Sequence, residues 1–131
     1  MKILIFIYCA MLFSTSVFAQ TTTDKPFFES KSFKIYISEG QCAQYDVACN
    51  DVTYHSVNKK NNNQLTLKGK TLNVGPSQDF RGYIFKNGAY TYTLSPSNSA
   101  SNYDDSQWIL TVDQASATGD KVIFTEYGTS N

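Results

Sequence analysis

Apolar and polar residues alternate in short runs along most of the chain, and clusters of Asn, Gly, Ser and Pro separate the runs. Phe33, Ile35 and Ile37 interleave with Lys34, Tyr36 and Ser38, the period-two pattern of a half-buried strand. Residues 52–57 read as the next strand, and 64–68 as its hairpin partner across an Asn- and Lys-rich turn at 58–63. Gly69 is expected to break that run, leaving 71–74 as a short separate strand before a turn at Gly75-Pro76. The strongest local signal lies at 80–94, where two aromatic-rich runs meet across Asn87-Gly88. Asn-Gly favours positive φ at both central positions of a type I′ turn, whose twist matches that of paired strands. Counting outward sets Phe85 opposite Tyr90, Tyr83 opposite Tyr92 and Arg81 opposite Leu94 on one face, with Phe80, Gly82 and Ile84 on the other. Residues 107–112 and 121–127 form the last hairpin, and 128–131 a tail.

Turn signals recur about every ten residues, and no strand–helix alternation is present. The expected fold is all-β: an antiparallel meander of seven to eight short strands, forming a small barrel or a sandwich, with one disulfide.

Two segments depart from this pattern. Lys2 precedes an apolar stretch at 3–13, then Ser14-Thr15-Ser16, then Val17-Phe18-Ala19. A small aliphatic residue at −3 and alanine at −1 are what signal peptidase accepts, so cleavage is expected between Ala19 and Gln20. The apolar stretch is shorter than the ~20 residues of a membrane span. Cys9 lies inside it without a lipobox. The expected division is therefore a signal peptide at 1–19, a loose N-terminal arm at 20–31 and a single β domain at 32–128. The second segment is the polar loop 95–106, which includes Tyr103, Asp104 and Asp105. Loops of this length in small domains are usually functional or disordered.

Cleavage changes how the composition reads. The chain has 11 basic and 11 acidic residues, and loss of Lys2 leaves a net charge of −1 with no basic stripe. A nucleic-acid partner therefore has no electrostatic support. No long apolar run remains, so no membrane insertion is expected after cleavage. Of 3 cysteines, Cys9 leaves and Cys42 and Cys49 stay, an even count that reads as a disulfide in an exported protein. Ser38 and Gln41 resemble a helix capping box. Residues seven apart on a helix, however, are separated by about 10 Å along its axis, and bridged cysteines need Cα atoms within about 7 Å. A pinched loop is expected instead.

The chemistry-bearing residues form no catalytic set. The sequence has 1 histidine, His55, inside a strand, and no Gly-x-Ser-x-Gly elbow. Cys42, Cys49 and His55, with Asp46 or Asp51, match no zinc spacing. Asp104 and Asp105 are adjacent in a loop, and Asp113 and Asp120 flank a turn where Asp is common. No enzyme activity, metal or cofactor is expected. The ladder of Tyr83, Phe85, Tyr90 and Tyr92 could stack sugars or bases, but a chain with few aliphatic residues needs these rings in its core.

Cys49-Asn50-Asp51-Val52-Thr53-Tyr54, Val57-Asn58-Lys59-Lys60, Leu67-Lys68-Gly69-Lys70 and 80–88 together resemble a group of small exported bacterial proteins without an assigned activity. The resemblance covers residues 49–94 and implies a periplasmic setting. Small periplasmic β domains with one disulfide also include inhibitors of c-type lysozyme and immunity proteins against cell-wall toxins. The Ser-Gly-x-x-Tyr and Thr-Lys-Gly segments of those inhibitors are absent here.

The expectation is thus an exported small binding protein, periplasmic or secreted, whose partner is another protein. The subtype is a periplasmic inhibitor or immunity protein acting on an envelope enzyme. Tyr103, Asp104, Asp105 and Arg81 are its candidate contacts, because loops on rigid sheets carry such contacts. The alternative is an envelope-associated structural or small-ligand-carrying β-barrel with no enzyme target, which a cavity lined by the tyrosine ladder would favour.

Overall fold

The computed structural model describes residues 25–43, 45–97 and 106–131. Eight strands follow one another: β1 (Phe28–Ser30), β2 (Phe33–Glu39), β3 (Val52–Asn58), β4 (Gln64–Val74), β5 (Asp79–Asn87), β6 (Tyr90–Pro96), β7 (Gln107–Gln114) and β8 (Lys121–Ser130). Each pairs antiparallel with the next, and β1 pairs with β8, so the meander closes into a barrel. Of the two forms left open by the alternation, the barrel is the one adopted. Closure removes the unpaired edges that a sandwich would have to protect. Among the described residues no helix forms.

Alternation places the core. Val52, Tyr54 and Ser56 of β3 point inward between Thr53, His55 and Val57, and Trp108, Leu110 and Val112 do the same in β7. Phe28, Ile35, Val52 and Leu94 are wholly buried, with Tyr54, Phe85 and Leu110 nearly so. Burying one such side chain stabilises the fold by roughly 1.5–3 kcal/mol.

Four local expectations need correction. Residues 28–30, expected within a loose arm, form β1, which holds β2 on one side and β8 on the other. A three-residue strand is too short to show a period, but its Phe28 is a core residue. The expected tail is also strand, because β1 gives residues 128–130 a partner. A Cβ at Gly128 would lie 2.6 Å from the Phe28 ring, so glycine there admits the ring.

Gly69 does not interrupt β4. It sits opposite Phe85, where a Cβ would meet the Ile84 carbonyl at 2.2 Å. The glycine marks close backbone approach within a continuous strand.

The β5–β6 register is displaced from the expected one. Asn87 pairs with Tyr90, Phe85 with Tyr92 and Tyr83 with Leu94, so the turn is Gly88-Ala89. Gly88 has φ +60 and Ala89 has no positive φ. Glycine at the first central position is the type II′ signature, which competes with type I′ for the same dipeptide. Beyond Tyr83 the expected faces change as well. Between the Thr71–Tyr83 and Asn73–Phe80 pairs, Arg81 and Gly82 stand against Leu72 alone. This β-bulge, with Gly82 at φ +120, turns Phe80 onto the Tyr83 side, their ring centroids 5.2 Å apart, and leaves Arg81 exposed.

Candidate functional site

The two ends of the barrel are built differently. At one end gather the β2–β3 loop, the β4–β5 turn, the end of β6 and the start of β7. Phe27, Phe80, Tyr83 and Trp108 close this end, with Phe27 edge-on to Trp108 at 4.9 Å and to Tyr83 at 5.6 Å. Trp108 and Tyr83 are 7 % and 8 % exposed. Burial pushes the Tyr83 phenol up to about 12, helped by the Glu39 carboxylate to which it is hydrogen-bonded.

The expected disulfide joins Cys42 and Cys49, with Cα atoms 5.6 Å apart, and fastens the β2–β3 loop over this end. Cys49 is buried, and its N–H donates to Thr71 Oγ1 at 2.9 Å while Thr71 N–H donates to the Cys49 carbonyl at 2.8 Å. Asn73 Nδ2 donates to the Val47 carbonyl at 3.1 Å. Asp51 closes the loop base by accepting from Gln41 N–H at 2.8 Å, with Lys68 Nζ 3.3 Å away. The Gln41 amide first, then Lys68, hold its carboxyl below the usual range.

The other end carries the β1–β2, β3–β4, β5–β6 and β7–β8 turns, and here the interior is not filled. A cup of about 280 Å³ runs inward between Phe33, Tyr54, Leu65, Tyr92, Leu110 and Val112. Asn58, Asn63 and Gln64 edge it, and among the described residues no charged side chain lines it. Two features shape its wall. Phe33 and Phe124 meet edge-on at 5.8 Å. A second bulge, between the Val112–Phe124 and Asp113–Val122 pairs, inserts Ile123, so both Ile123 and Phe124 line the cup.

Its polar groups are few. Ser56, 3 % exposed, occupies a core position of β3 near the Tyr54 hydroxyl. Burial pushes the Tyr54 phenol up to about 12; the Ser56 hydroxyl opposes the rise, and the neighbouring Tyr92 adds to it. The rings of Tyr54 and Tyr92 lie 5.9 Å apart. Three hydroxyls therefore join the Asn58, Asn63 and Gln64 amides on a wall that is otherwise apolar.

Beside the cup, Glu126 points inward from β8 and ties the β1–β2 turn to it. Ser32 N–H and Ser32 Oγ donate to its two oxygens at 2.7 Å each. Burial works against the carboxylate, but bonds from Ser30 and Ser32 and the charge of Lys31 outweigh it and hold the carboxyl below its ordinary value. Lys59 Nζ bridges Glu29 at 2.8 Å along the same edge.

A second concavity, about 410 Å³, lies outside the barrel between Lys25, Phe27 and the outer faces of β2 and β3. His55 is found there, its Nδ1 2.9 Å from Thr66 Oγ1 and its ring 6.1 Å from Tyr36. It is a half-exposed strand histidine, with Thr66 and Tyr36 as its neighbours. Among the described residues no group of three or more His, Cys, Asp and Glu could hold a metal ion.

Of the four residues expected as partner contacts, one lies among the described residues. Arg81 is exposed at the β5 bulge, near the sealed end. Tyr103, Asp104 and Asp105, and the junction of Ala19 and Gln20, lie outside the described residues. The tyrosine ladder divides between core and surface: Tyr83 and Phe85 are buried, Tyr92 is half-buried at the cup, and Tyr90 is exposed. The cavity expected under the ligand-carrier alternative was one lined by the tyrosine ladder; of that ladder Tyr92 lines the cup. Its one sequence signal is Ser56, a polar residue in phase with Val52 and Tyr54.

Comparison with family models, with curated proteins and with solved structures gives no match.

Proposed function

We propose that the chain is an exported binding protein whose barrel takes the apolar part of a small ligand through its open end. The observation that carries this reading is the 280 Å³ cup, lined by Phe33, Leu65, Tyr92, Leu110, Val112 and Phe124. An apolar cavity with a few convergent polar groups is the usual form of a small-molecule site. Eight strands give an interior just wide enough to be filled by side chains or to hold one small ligand. Here the sealed half is filled and the open half is not. This reading places the chain among ligand carriers, the alternative held open by the sequence. Export draws support from the leader-like pattern at 1–19 and from the disulfide, a bond of oxidising compartments. Lys34, Lys68, Lys70 and Lys86 are exposed on strands, where a barrel in a membrane would carry an apolar band.

The test is a titration of the chain with toluene, followed by amide NMR shifts. Saturable shifts at Leu65, Leu110, Val112 and Phe124, with Trp108 unmoved, are expected. Ile123→Trp, at a rim position that is 47 % exposed, should block them. Absence of saturation, or shifts centred on Trp108, would refute the reading.

A second reading, an inhibitor or immunity protein that grips an envelope enzyme, is favoured by the sealed end. Tyr45 is 90 % exposed and Val47 60 %, both on the disulfide-fastened loop. A rigid loop presenting an exposed tyrosine is a low-entropy contact element.

A further inference from the structure

We infer that the cup selects an uncharged ring carrying a hydroxyl, a phenol-type ligand that enters with its hydroxyl directed at Tyr54, Ser56 and Tyr92. The inference rests on the reading that this cup holds a small ligand, and it names that ligand's chemistry.

Size sets the first limit. A cavity of about 150 Å³ lined by aliphatic and aromatic side chains holds one benzene. The cup has about 280 Å³ and so takes one ring with a substituent or two. The walls favour a ring. Phe33, Tyr54, Tyr92 and Phe124 all line the space, and Phe33 and Phe124 already meet edge-on. Aromatic pairs in such geometry gain beyond the area they bury.

Charge sets the second limit. Among the described residues no charged side chain lines the cup, so no opposite charge compensates an ionised ligand for leaving water. The same desolvation acts on the Tyr54 phenol, whose proton it holds.

Polarity sets the third. Ser56 sits where the alternation of β3 calls for an apolar side chain. Its hydroxyl lies near enough to that of Tyr54 to favour the phenolate, and a bond between the two would use one proton and one lone pair. Two hydroxyls together carry two protons and about four lone pairs. The pair can therefore still donate to and accept from a third hydroxyl, with Tyr92 beside it. A ligand without a polar group would cover these oxygens and leave that capacity unused. A ligand hydroxyl would fill it.

The full chain titrated with p-cresol, toluene and 4-methylbenzoate, three probes of one ring size, separates these limits. p-Cresol is expected to bind about tenfold more tightly than toluene, the worth of a good net hydrogen bond. 4-Methylbenzoate at neutral pH is expected to show no saturable binding. Tyr54→Phe combined with Ser56→Ala should erase the difference between p-cresol and toluene while toluene still binds. Near-ultraviolet circular dichroism checks that the variant keeps its packing, and the three-probe comparison on the unaltered chain stands without it. If toluene binds and p-cresol binds no better, or if 4-methylbenzoate binds as well as p-cresol, the phenol inference is wrong and the ligand-cup reading survives. If none of the three probes saturates, both fall.

Discussion

The sealed end and the open end are made from the same eight strands, yet their inward positions are used in opposite ways. At the sealed end four rings converge. Neighbouring centroids among Phe27, Phe80, Tyr83 and Trp108 lie 4.9–6.4 Å apart, Phe80 stays 43 % exposed, and a disulfide fastens the β2–β3 loop at the same end. At the open end the rings stay on the wall, where Phe33 and Phe124 meet at 5.8 Å, and space remains between them. Each end also owes its shape to a bulge. The one at Arg81-Gly82 turns Phe80 onto the Tyr83 side of its strand. The one at Ile123 adds a side chain to the rim. One fold thus separates stability from cavity along the barrel axis, and substitutions at the two ends should separate those properties too.

The largest effect is expected from Trp108→Ala. Trp108 touches Phe27, Phe80 and Tyr83, so its removal unseats the whole cluster. A large aromatic truncated in a core costs about 3–5 kcal/mol. Denaturant unfolding should show a loss of that order. A loss below about 1 kcal/mol would mean that the sealed end is not the anchor of the fold.

Next comes the staple. Replacing both Cys42 and Cys49 by alanine removes a short closed loop, for which the chain-entropy model gives roughly 2.5 kcal/mol. Cys49 is also buried beside Thr71, so unfolding should occur at lower denaturant with its steepness retained. The comparison sharpens if p-cresol still binds the variant, because the loop lies at the end away from the cup. Loss of binding together with the staple would show that the two ends are coupled.

How far these ends were legible in the sequence follows from what each required. Alternation at Phe33-Ile35-Ile37 and in residues 107–112 gave strands whose bounds barely move, and two remaining cysteines gave the disulfide. Closure was not legible, because β1 is three residues long and its partner strand lies a hundred residues away. The bulges were not legible either. Each depends on one extra residue in a strand, and Gly82 reads as an ordinary alternating position although the Leu94 carbonyl stands where its Cβ would be. The cup was hidden for a related reason. Leu65, Tyr92, Val112 and Phe124 have the pattern of core residues whether or not the core is full, and only the closed geometry shows that they fail to meet. Ser56 alone broke the pattern.

A smaller effect should appear in acid. The Glu126 carboxyl sits below its ordinary 4.5, chiefly through Ser30 and Ser32, whose bonds overcome the opposing effect of burial. Its ionised form therefore favours the fold. That contribution is fully present above the unfolded value and is lost as pH falls through the lowered one. Glu126→Gln should make the chain less stable at neutral pH, and the difference should shrink below about pH 4.5. Glu29 and Asp51 are lowered as well, by Lys59 and by Gln41 with Lys68, so the acid limb should flatten without vanishing. An unchanged acid limb would mean that the tie between Glu126 and Ser32 does not persist in solution.

The smallest effect on stability is expected from Ile123→Ala, and this substitution divides the two ends most directly. Ile123 lines the cup but is 47 % exposed, because the bulge sets it at the rim and not in the packed interior. Truncating a half-exposed side chain leaves little cavity to collapse, so the cost should stay within about 1 kcal/mol. Its contact with a bound ring is another matter. Without it one side of the cup is lower, and a ligand there keeps more of its surface in water. Toluene and p-cresol should both bind several-fold more weakly, by the same factor, since the change removes apolar contact and leaves Tyr54 and Ser56 in place. Equal weakening marks Ile123 as wall. A selective loss for p-cresol would place the ligand hydroxyl at the rim instead of the floor, reversing the orientation inferred from Ser56.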